Sequence, residues 1–282
     1  MFVEGLAYSL ETAVVMSGEF CDASEVPRGQ ANRIGLWFKP WFYKHVGAML
    51  YKKSRKGMFS KAELIPNEEA KVEYVPLRDY YHRHTQSLFW EMELMIPIGN
   101  NVIFRYLLGW LMPPKVSFLK LSQTEMTRQL VERTHVAQDF LLLTRKMSEF
   151  LEVCDTEFDK IYPLWLCLHD HSTMPGSLLK DPAKPQKERN GHEMYIDIGV
   201  YGLPQCVHAK REDEFDMKKS MKTVLDKCVE FDGFQMLYAD VFYTKDDFEK
   251  MFDHQEYRAL RKKYKADGGV FKEVYDKMSV IL

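Results

Sequence analysis

The sequence predicts an α+β protein: an antiparallel sheet with helices packed on one side. Two short β-leaning runs, residues 2–9 and 13–20, are separated by only three residues, which predicts a hairpin. Three later runs, residues 161–168, 193–201 and 233–243, also predict strands. Strands and helices do not alternate regularly along the chain, and parallel strands would need regular crossovers. The early hairpin therefore favours antiparallel pairing.

Three segments show the spacing of apolar residues that is typical of helices. Residues 81–95 place Leu88, Met92 and Met95 at helical spacing before Pro97 ends the run. Residues 123–154 predict one long helix or two helices joined near Thr134. Residues 212–230 predict a third amphipathic helix.

Composition and charge narrow the class of protein. With 282 residues, 46% of them hydrophobic and 13% aromatic, the chain can bury one large core or two smaller ones. Its 39 basic and 41 acidic residues create no basic field for phosphates, so nucleic acid is not expected as a partner. The five cysteines lie far apart without zinc-ligand spacing, which fits a reducing compartment.

The most apolar stretch, residues 96–114, is interrupted by prolines, asparagines and an arginine, which leave it too short to span a bilayer. We interpret it as a core helix, since apolar runs of this length are usually buried. The alternative is contact with a membrane surface through one aromatic and aliphatic face. That face would consist of Phe104, Leu107, Leu108, Trp110 and Leu111.

Residues 80–85, with the sequence Tyr-Tyr-His-Arg-His-Thr, concentrate groups that can exchange protons. Histidine titrates near neutrality, and a phenol donates more readily beside a cation. A hydrogen-bonded helix start would use the same residues for structure alone. Both interpretations stay open on the residues themselves.

Other polar motifs point less clearly to chemistry. His169, Asp170 and His171 are close together, but no third ligand follows at a recognisable spacing, so we predict no metal site. Asp197, Asp240 and Asp246 are interpreted as strand-edge and turn residues, with Asp240 of interest because it interrupts an apolar run. Glycine-rich nucleotide loops and the serine-hydrolase elbow are absent from the sequence.

Several segments, in order along nearly the whole chain, resemble the delta(24)-sterol reductase (diminuto/seladin) family. The matching segments are residues 2–6, 39–46, 80–85, 98–110, 163–167, 195–202 and 233–240. The resemblance implies a flavoenzyme of the vanillyl-alcohol-oxidase type, whose N-terminal half binds FAD and whose C-terminal half covers the substrate. It implies that residues 1–282 form this C-terminal cap or substrate domain.

Within that domain, residues 255–282 resemble the segment that returns toward the FAD-binding half. The resemblance also implies NADPH as the reductant, a sterol substrate, the FAD-binding half as partner, and the cytosolic side of the endoplasmic reticulum membrane. No transmembrane segment is expected within the chain. A truncated, non-catalytic module that binds sterol or protein is the alternative.

The implied reaction saturates a carbon–carbon double bond in a sterol side chain, which requires an acid and apolar walls. On this basis the sequence predicts roles for ten residues. Predicted catalytic residues are Tyr81, His82, Arg83 and His84; predicted substrate-binding residues are Trp37, Phe38, Trp41 and Phe42; predicted cofactor-binding residues are Tyr238 and Asp240.

Overall fold

The structure, a computed structural model, describes residues 2–52, 63–64, 70–114, 131–170 and 193–280. The chain divides into two compact units, Met1–Leu130 and Val131–Leu282. Each unit contains both strands and helices, which confirms the predicted α+β class. Residues 173–190, whose lysines and prolines predict an exposed loop, lie outside the described residues.

The first unit begins with the predicted hairpin. Strands β1 (Phe2–Ala7) and β2 (Ala13–Gly18) pair antiparallel along their full length. The backbone amides of Tyr8 and Ser9 donate to the carbonyl of Thr12 and close the turn. A second antiparallel pair joins β3 to β4. Those two short strands are Tyr51–Lys52 and Glu63–Leu64.

Four short helices complete the described part of this unit. They are α1 (Phe42–Gly47), α2 (Leu77–Tyr81), α3 (Glu91–Met95) and α4 (Val102–Leu108). Their buried side chains are largely aromatic, because aromatic residues crowd the sequence around α1 and before α3. The buried apolar residues include Trp41, Phe42, Tyr43, Val46, Trp90 and Met92.

The predicted helix over residues 81–95 is wrong for most of its length. Helix α2 ends at Tyr81, turns follow, and only α3 lies within the predicted range. Leu88 and Phe89 have φ angles of 43° and 62°, in the left-handed region that a continuing right-handed helix excludes. Apolar spacing alone did not reveal this break.

The core-helix interpretation of residues 96–114 is also wrong in this structure. Helix α4 occupies only Val102–Leu108, and a 3₁₀ turn, Gly109–Leu111, follows. In α4 only Arg105 is buried, where its guanidinium donates to the carbonyl of Phe38. The exposed apolar residues of this region are Ile98, Val102, Ile103, Tyr106, Leu107, Leu108, Trp110 and Leu111.

The second unit contains four antiparallel strands in the order β6-β7-β5-β8. Strand β7 is central, with Ile198 opposite Phe140 of β5 on one side and opposite Leu166 of β6 on the other. Antiparallel pairing is therefore confirmed. The strands are β5 (Val136–Leu143), β6 (Leu164–Asp170), β7 (Met194–Gly202) and β8 (Phe234–Gln235).

In the described part of this unit, six helices accompany these strands, in addition to the helical residues 131–134. The two longest lie on one face of β5, as predicted for the sheet: the Phe140 ring contacts Phe150 and Phe158, and Cys228 lies close to Leu142 around Gly233. The helices are α5 (Met147–Glu157), α6 (Gln205–His208), α7 (Met217–Glu230), α8 (Lys245–Met251), α9 (Gln255–Lys263) and α10 (Val274–Met278).

Two predictions for this unit need correction. The helix predicted over residues 123–154, as one helix or as two joined near Thr134, is wrong for residues 136–143, which form β5. Residues 131–134 are helical and α5 begins at Met147, while residues 123–130 lie outside the described residues. Strand β5 is buried on both faces, so its apolar run lacks the alternation that marks a half-exposed strand. The strand predicted over residues 233–243 is only two residues long, and turns follow it.

The position of Phe140 gives the first prediction. Its side chain is fully buried between the sheet and α5, so Phe140→Ala is expected to lower the free energy of unfolding by about 3–5 kcal/mol. Chemical denaturation measures this change. Ala137→Ser, at the exposed position of the same strand, is the control and should change stability by less than about 0.5 kcal/mol. Equal effects of both variants would contradict the structure.

Candidate functional site

In the first unit, a buried ion pair holds the start of the predicted catalytic segment. The Glu4 side chain on β1 is 4% exposed, and Arg83 donates to both of its carboxylate oxygens, at 2.9 and 2.5 Å. The Tyr80 hydroxyl donates to the same carboxylate at 3.3 Å, and the guanidinium carbon lies 4.1 Å from the centre of the Tyr80 ring. Arg83 therefore neutralises a buried carboxylate.

His84 lies among aromatic rings. It stacks on Phe89 with ring centres 4.9 Å apart and meets Phe42 edge-on at 5.3 Å. Burial, followed by the charge of Arg83, lowers the pKa of His84 to about 4. The imidazole is thus neutral near pH 7 and holds no extra proton to donate. Tyr81 is 63% exposed, and His82 is exposed beside it.

The four predicted substrate-binding aromatics fall into two pairs. Trp41 and Phe42 are buried in the core of the first unit. Phe38 stacks on Tyr106 with ring centres 5.5 Å apart, and Trp37 is exposed next to it. In this arrangement only the second pair offers ring surface to a ligand, and the predicted roles of all four stay predictions.

The second unit contains a cluster of carboxyl and phenol groups on the face of the sheet opposite Phe140. We call Asp139, Asp197, Tyr201 and Tyr238 the acid–phenol cluster. Asp139 lies opposite Gly199 in the register of β5 and β7, and the Tyr201 hydroxyl donates to both Asp139 oxygens at 2.6 and 2.5 Å. The Tyr238 phenol also acts on this carboxyl group and lowers its pKa.

Gly199 makes this arrangement sterically possible. A Cβ atom at this position would lie 2.8 Å from an Asp139 carboxylate oxygen and 2.8 Å from the ring of Tyr201. Both distances are below any normal contact, so a larger residue would displace the hydrogen-bonded pair. The glycine in β7 therefore belongs to the cluster although it has no side chain.

Asp197 differs from its neighbour because it lacks such donors. Its side chain is 7% exposed, and its Oδ1 atom has no hydrogen-bond partner among the described residues. Burial, and then the charge of Asp139, raises the pKa of Asp197 to about 7. Burial also raises the pKa of Asp139 above its ordinary value, and interactions with Tyr201 and Tyr238 offset part of that rise. The two carboxyl groups thus have different tendencies to hold a proton.

The sequence interpretation of the aspartates as strand-edge and turn residues is corrected for Asp197 and Asp246 and supported for Asp240. Asp197 is not a strand-edge residue, since it lies in the middle of β7. Asp240 is exposed in a turn and Asp246 in the first turn of α8. Asp139 was missed because its segment was predicted as helix. An acid inside the apolar run of residues 136–143 was the signal that could have found it.

The two predicted cofactor-binding residues lie in the turn after β8. The Tyr238 ring is 62% exposed, so it forms the accessible side of the acid–phenol cluster. The Asp240 side chain is exposed, while its backbone carbonyl accepts bonds from the Gln138 and Gln235 amides. The structure thus brings Tyr238, but not the Asp240 carboxylate, to the buried acids.

Neither a metal cluster nor a membrane-crossing helix occurs in the described part of the chain. His169 lies in β6 and His171 falls outside the described ranges, and no group of three or more His, Cys, Asp or Glu side chains within those ranges is arranged to hold a metal. Among the same residues, each helix is too short or too polar to cross a bilayer.

The fold and cluster define an α+β protein with buried ionisable groups on one face of an antiparallel sheet. Comparison with known proteins then identifies its relatives. The chain is 42% identical over 277 residues to the delta(24)-sterol reductase of Homo sapiens, 39% identical over 284 residues to that of Arabidopsis thaliana, and 36% identical over 278 residues to a delta(24)-sterol reductase homolog of Caenorhabditis elegans.

These matches cover 98% of this chain but only 47–48% of each relative. The chain therefore spans about half the length of the curated relatives it matches. It is homologous to the delta(24)-sterol reductases, which confirms the resemblance predicted from its motifs. No family model and no solved structure matches the chain.

The Glu4–Arg83 pair generates a stability prediction. Arg83→Met leaves the buried Glu4 carboxylate without its cation, and this change is expected to lower the free energy of unfolding by about 3–5 kcal/mol. Urea denaturation measures it. The double variant Glu4→Gln/Arg83→Met should recover part of the loss, whereas Arg78→Met, at an exposed position of α2, should be nearly neutral. A neutral Arg83→Met variant would refute the structural role.

The raised pKa of Asp197 predicts a pH-dependent stability. In the unfolded chain this carboxyl ionises near its model value of 3.8, whereas in the folded chain it holds its proton to about pH 7. Its stabilising contribution is complete below the lower value and is lost as pH rises through the upper one. The wild-type chain should thus lose a few kcal/mol more stability between pH 4 and pH 7 than Asp197→Asn.

Denaturation of both chains across this pH range is the measurement. Asp226→Asn, at an exposed position of α7 paired with Lys222, is the control and should keep the wild-type pH dependence. Parallel pH profiles for wild type and Asp197→Asn would show that Asp197 ionises normally in the folded chain.

Proposed function

We propose that this chain is the C-terminal, substrate-covering part of an FAD-dependent, NADPH-using delta(24)-sterol reductase. The supporting observation is 42% identity over 98% of the chain to reductases of that name, about half of whose length is matched. The substrate class is a sterol with a side-chain double bond. The remaining part of the reductase would be the chain's principal partner.

The chemistry defines what this part of the enzyme must provide. An isolated carbon–carbon double bond is electron-rich, so hydride does not add to it unaided. Saturation needs a proton at the less substituted carbon and a hydride at the more substituted one, which the reduced flavin supplies when bound. The protein around the side chain must therefore supply an acid and exclude water.

The starts of the two longest helices in the described part of this chain do not fit the pyrophosphate of FAD. Anions are favoured at the start of a long helix, but α7 starts at Asp216, whose carboxylate accepts the Lys219 amide. Before α5, Arg145 is paired with Glu193. The phosphate contacts are therefore assigned to the remaining half of the reductase, and Tyr238 and Asp240 are proposed as contacts from this chain.

A membrane surface is proposed as a second partner, at the endoplasmic reticulum. The support is the exposed apolar surface around α4, which carries Tyr106, Leu107, Trp110 and Leu111. Aromatic and aliphatic side chains together suit the boundary between headgroups and acyl chains. Trp37 and Phe38 lie against the same surface, through the stack of Phe38 on Tyr106 and the close approach of Trp37 to Gly109.

The proposal predicts that sterol reduction requires both this chain and the matching N-terminal half of the reductase. Co-expression of this chain with the matching N-terminal half of a relative should give NADPH-dependent gain of two hydrogen atoms in a side-chain-unsaturated sterol, measured by mass spectrometry. Each half alone should give no product. The intact relative is the positive control for the assay.

Two results separate the proposal from its alternative. A co-purifying, flavin-containing complex without turnover would contradict the catalytic role and favour a non-catalytic module that binds sterol or protein. In an active complex, Tyr81→Phe and His84→Ala test the predicted donors, since the first removes only a hydroxyl and the second removes the ring. Flavin content must be measured for each variant.

A further inference from the structure

The acid–phenol cluster contains two buried carboxyl groups whose surroundings differ. Asp139 and Asp197 lie on neighbouring strands and on the same face of the sheet, because Asp139 is opposite Gly199 and Asp197 is opposite Leu141. Such diagonal neighbours are typically about 7–8 Å apart between Cα atoms. Each group therefore lies within the electric field of the other, in a part of the unit that excludes water.

Of the two carboxyl groups, Asp139 is the one whose surroundings better support the charged form, although burial raises its pKa above the ordinary value as well. It is fully buried, both of its oxygens accept from the Tyr201 hydroxyl, and Tyr238 also lowers its pKa. A neutral carboxylic acid could not accept at both oxygens as strongly as a carboxylate. The Tyr201 hydroxyl, directed at both oxygens of Asp139, thus offsets part of the cost of a negative charge there.

Asp197 is the carboxyl group that the surroundings favour in its neutral form. It is more than nine-tenths buried, and its Oδ1 receives no hydrogen bond from the described residues. A second negative charge beside Asp139 would be unfavourable in a medium of low dielectric constant. The pKa of about 7 that burial and the Asp139 charge give Asp197 agrees with this geometry.

We propose that Asp197 is the general acid that protonates the sterol side-chain double bond, and that Asp139, Tyr201 and Tyr238 are positioning residues that keep it protonated. This inference rests on the proposed function. Two carboxyl groups whose environments separate their proton affinities are the usual basis for dividing acid and base roles. The group with the higher affinity carries the transferable proton near pH 7.

The proposed step balances as follows. The O–H bond of Asp197 breaks, and its proton forms a new C–H bond with the less substituted carbon of the alkene. The electron pair of the double bond makes that bond, so positive charge develops on the more substituted carbon. A reduced cofactor of the flavin class supplies the hydride that this carbon accepts. Asp197 is left as a carboxylate and regains a proton from solvent.

The other candidate donors are weaker acids or hold no proton to give. Burial, and then the nearby Asp139 carboxylate, raises the pKa of the Tyr201 phenol far above its ordinary value, and burial followed by the Asp139 bond does the same for Tyr238. His84 is neutral near pH 7 because its pKa is about 4. A protonated carboxylic acid is the strongest of these donors at neutral pH.

Several titratable groups face Asp197 and influence the pH at which this carboxyl group loses its proton. Asp139 lies on β5, Tyr201 on β7 itself, and Tyr238 in the turn after β8. On β6, Cys167 lies directly opposite Asp197 in the register. Two residues further along β6, His169 lies opposite Tyr195 of β7. Among these groups the Asp139 carboxylate is the neighbouring anion, so its removal should lower the pH at which Asp197 loses its proton.

The test uses the co-expressed two-part reductase and the single variants Asp197→Asn and Asp139→Asn. Asp197→Asn should lower turnover about 100- to 10,000-fold while flavin content and sterol affinity stay close to wild type. Wild-type turnover should fall as pH rises above about 7, and Asp139→Asn should move that fall to lower pH. Asp226→Asn on the exposed side of α7 is the matched control.

Infrared spectroscopy of this chain supplies a readout that does not depend on turnover. A protonated carboxyl band should be present at pH 6, disappear as pH rises through about 7, and be absent in Asp197→Asn. The proposal is overturned if the band persists in that variant, or if an active enzyme keeps near-normal turnover without Asp197. If the band titrates as expected but the two-part complex with wild-type chains reduces no sterol, the proposed function is wrong. The catalytic role of Asp197 is then wrong as well.

Discussion

The structure of the second unit depends on how a strand that is buried on both faces accommodates polar side chains. Strand β5 has the apolar core of α5 on one face and Asp139 on the other. A carboxyl group in that position must be hydrogen-bonded or neutral, because an isolated buried charge costs several kcal/mol. Tyr201 satisfies Asp139 from the next strand, and this bond requires both the β5–β7 register and a glycine at position 199.

The first unit meets the same constraint with a cation in place of phenols. Glu4 lies on a buried stretch of β1, and Arg83 approaches it from the segment that follows α2. The guanidinium also lies over Tyr80, so the end of α2 is tied to the hairpin through one side chain. Because Arg83 is needed to neutralise Glu4, the titratable side chains of residues 80–85 do not all point toward one reactive site. Arg83 is directed at Glu4, and His84 is enclosed by rings.

The elements that the sequence predicted correctly are those marked by regular apolar spacing or by a short polar turn. The hairpin was found because β1 and β2 are separated by a short polar turn, and α7 because its apolar residues recur at helical spacing. Strand β5 was not found, since a run buried on both faces resembles a buried helix. The acid–phenol cluster was missed for a related reason: Asp139, Asp197 and Tyr238 are far apart in sequence, and only the strand register and the turn after β8 bring them together.

The contrast between Asp139 and Asp197 also bears on the charge that alkene protonation creates. Positive charge that develops near Asp197 would lie within the field of the Asp139 carboxylate, which the Tyr201 hydroxyl holds in place before any substrate arrives. Such a preorganised charge needs no reorientation during the reaction, and a dry environment strengthens its effect. A solvent-exposed cluster such as Tyr81 and His82 would supply neither the fixed counter-charge nor the low dielectric constant. In the proposed reaction, one pair of buried acids would therefore serve two needs, with Asp197 giving the proton and Asp139 stabilising the cation that results.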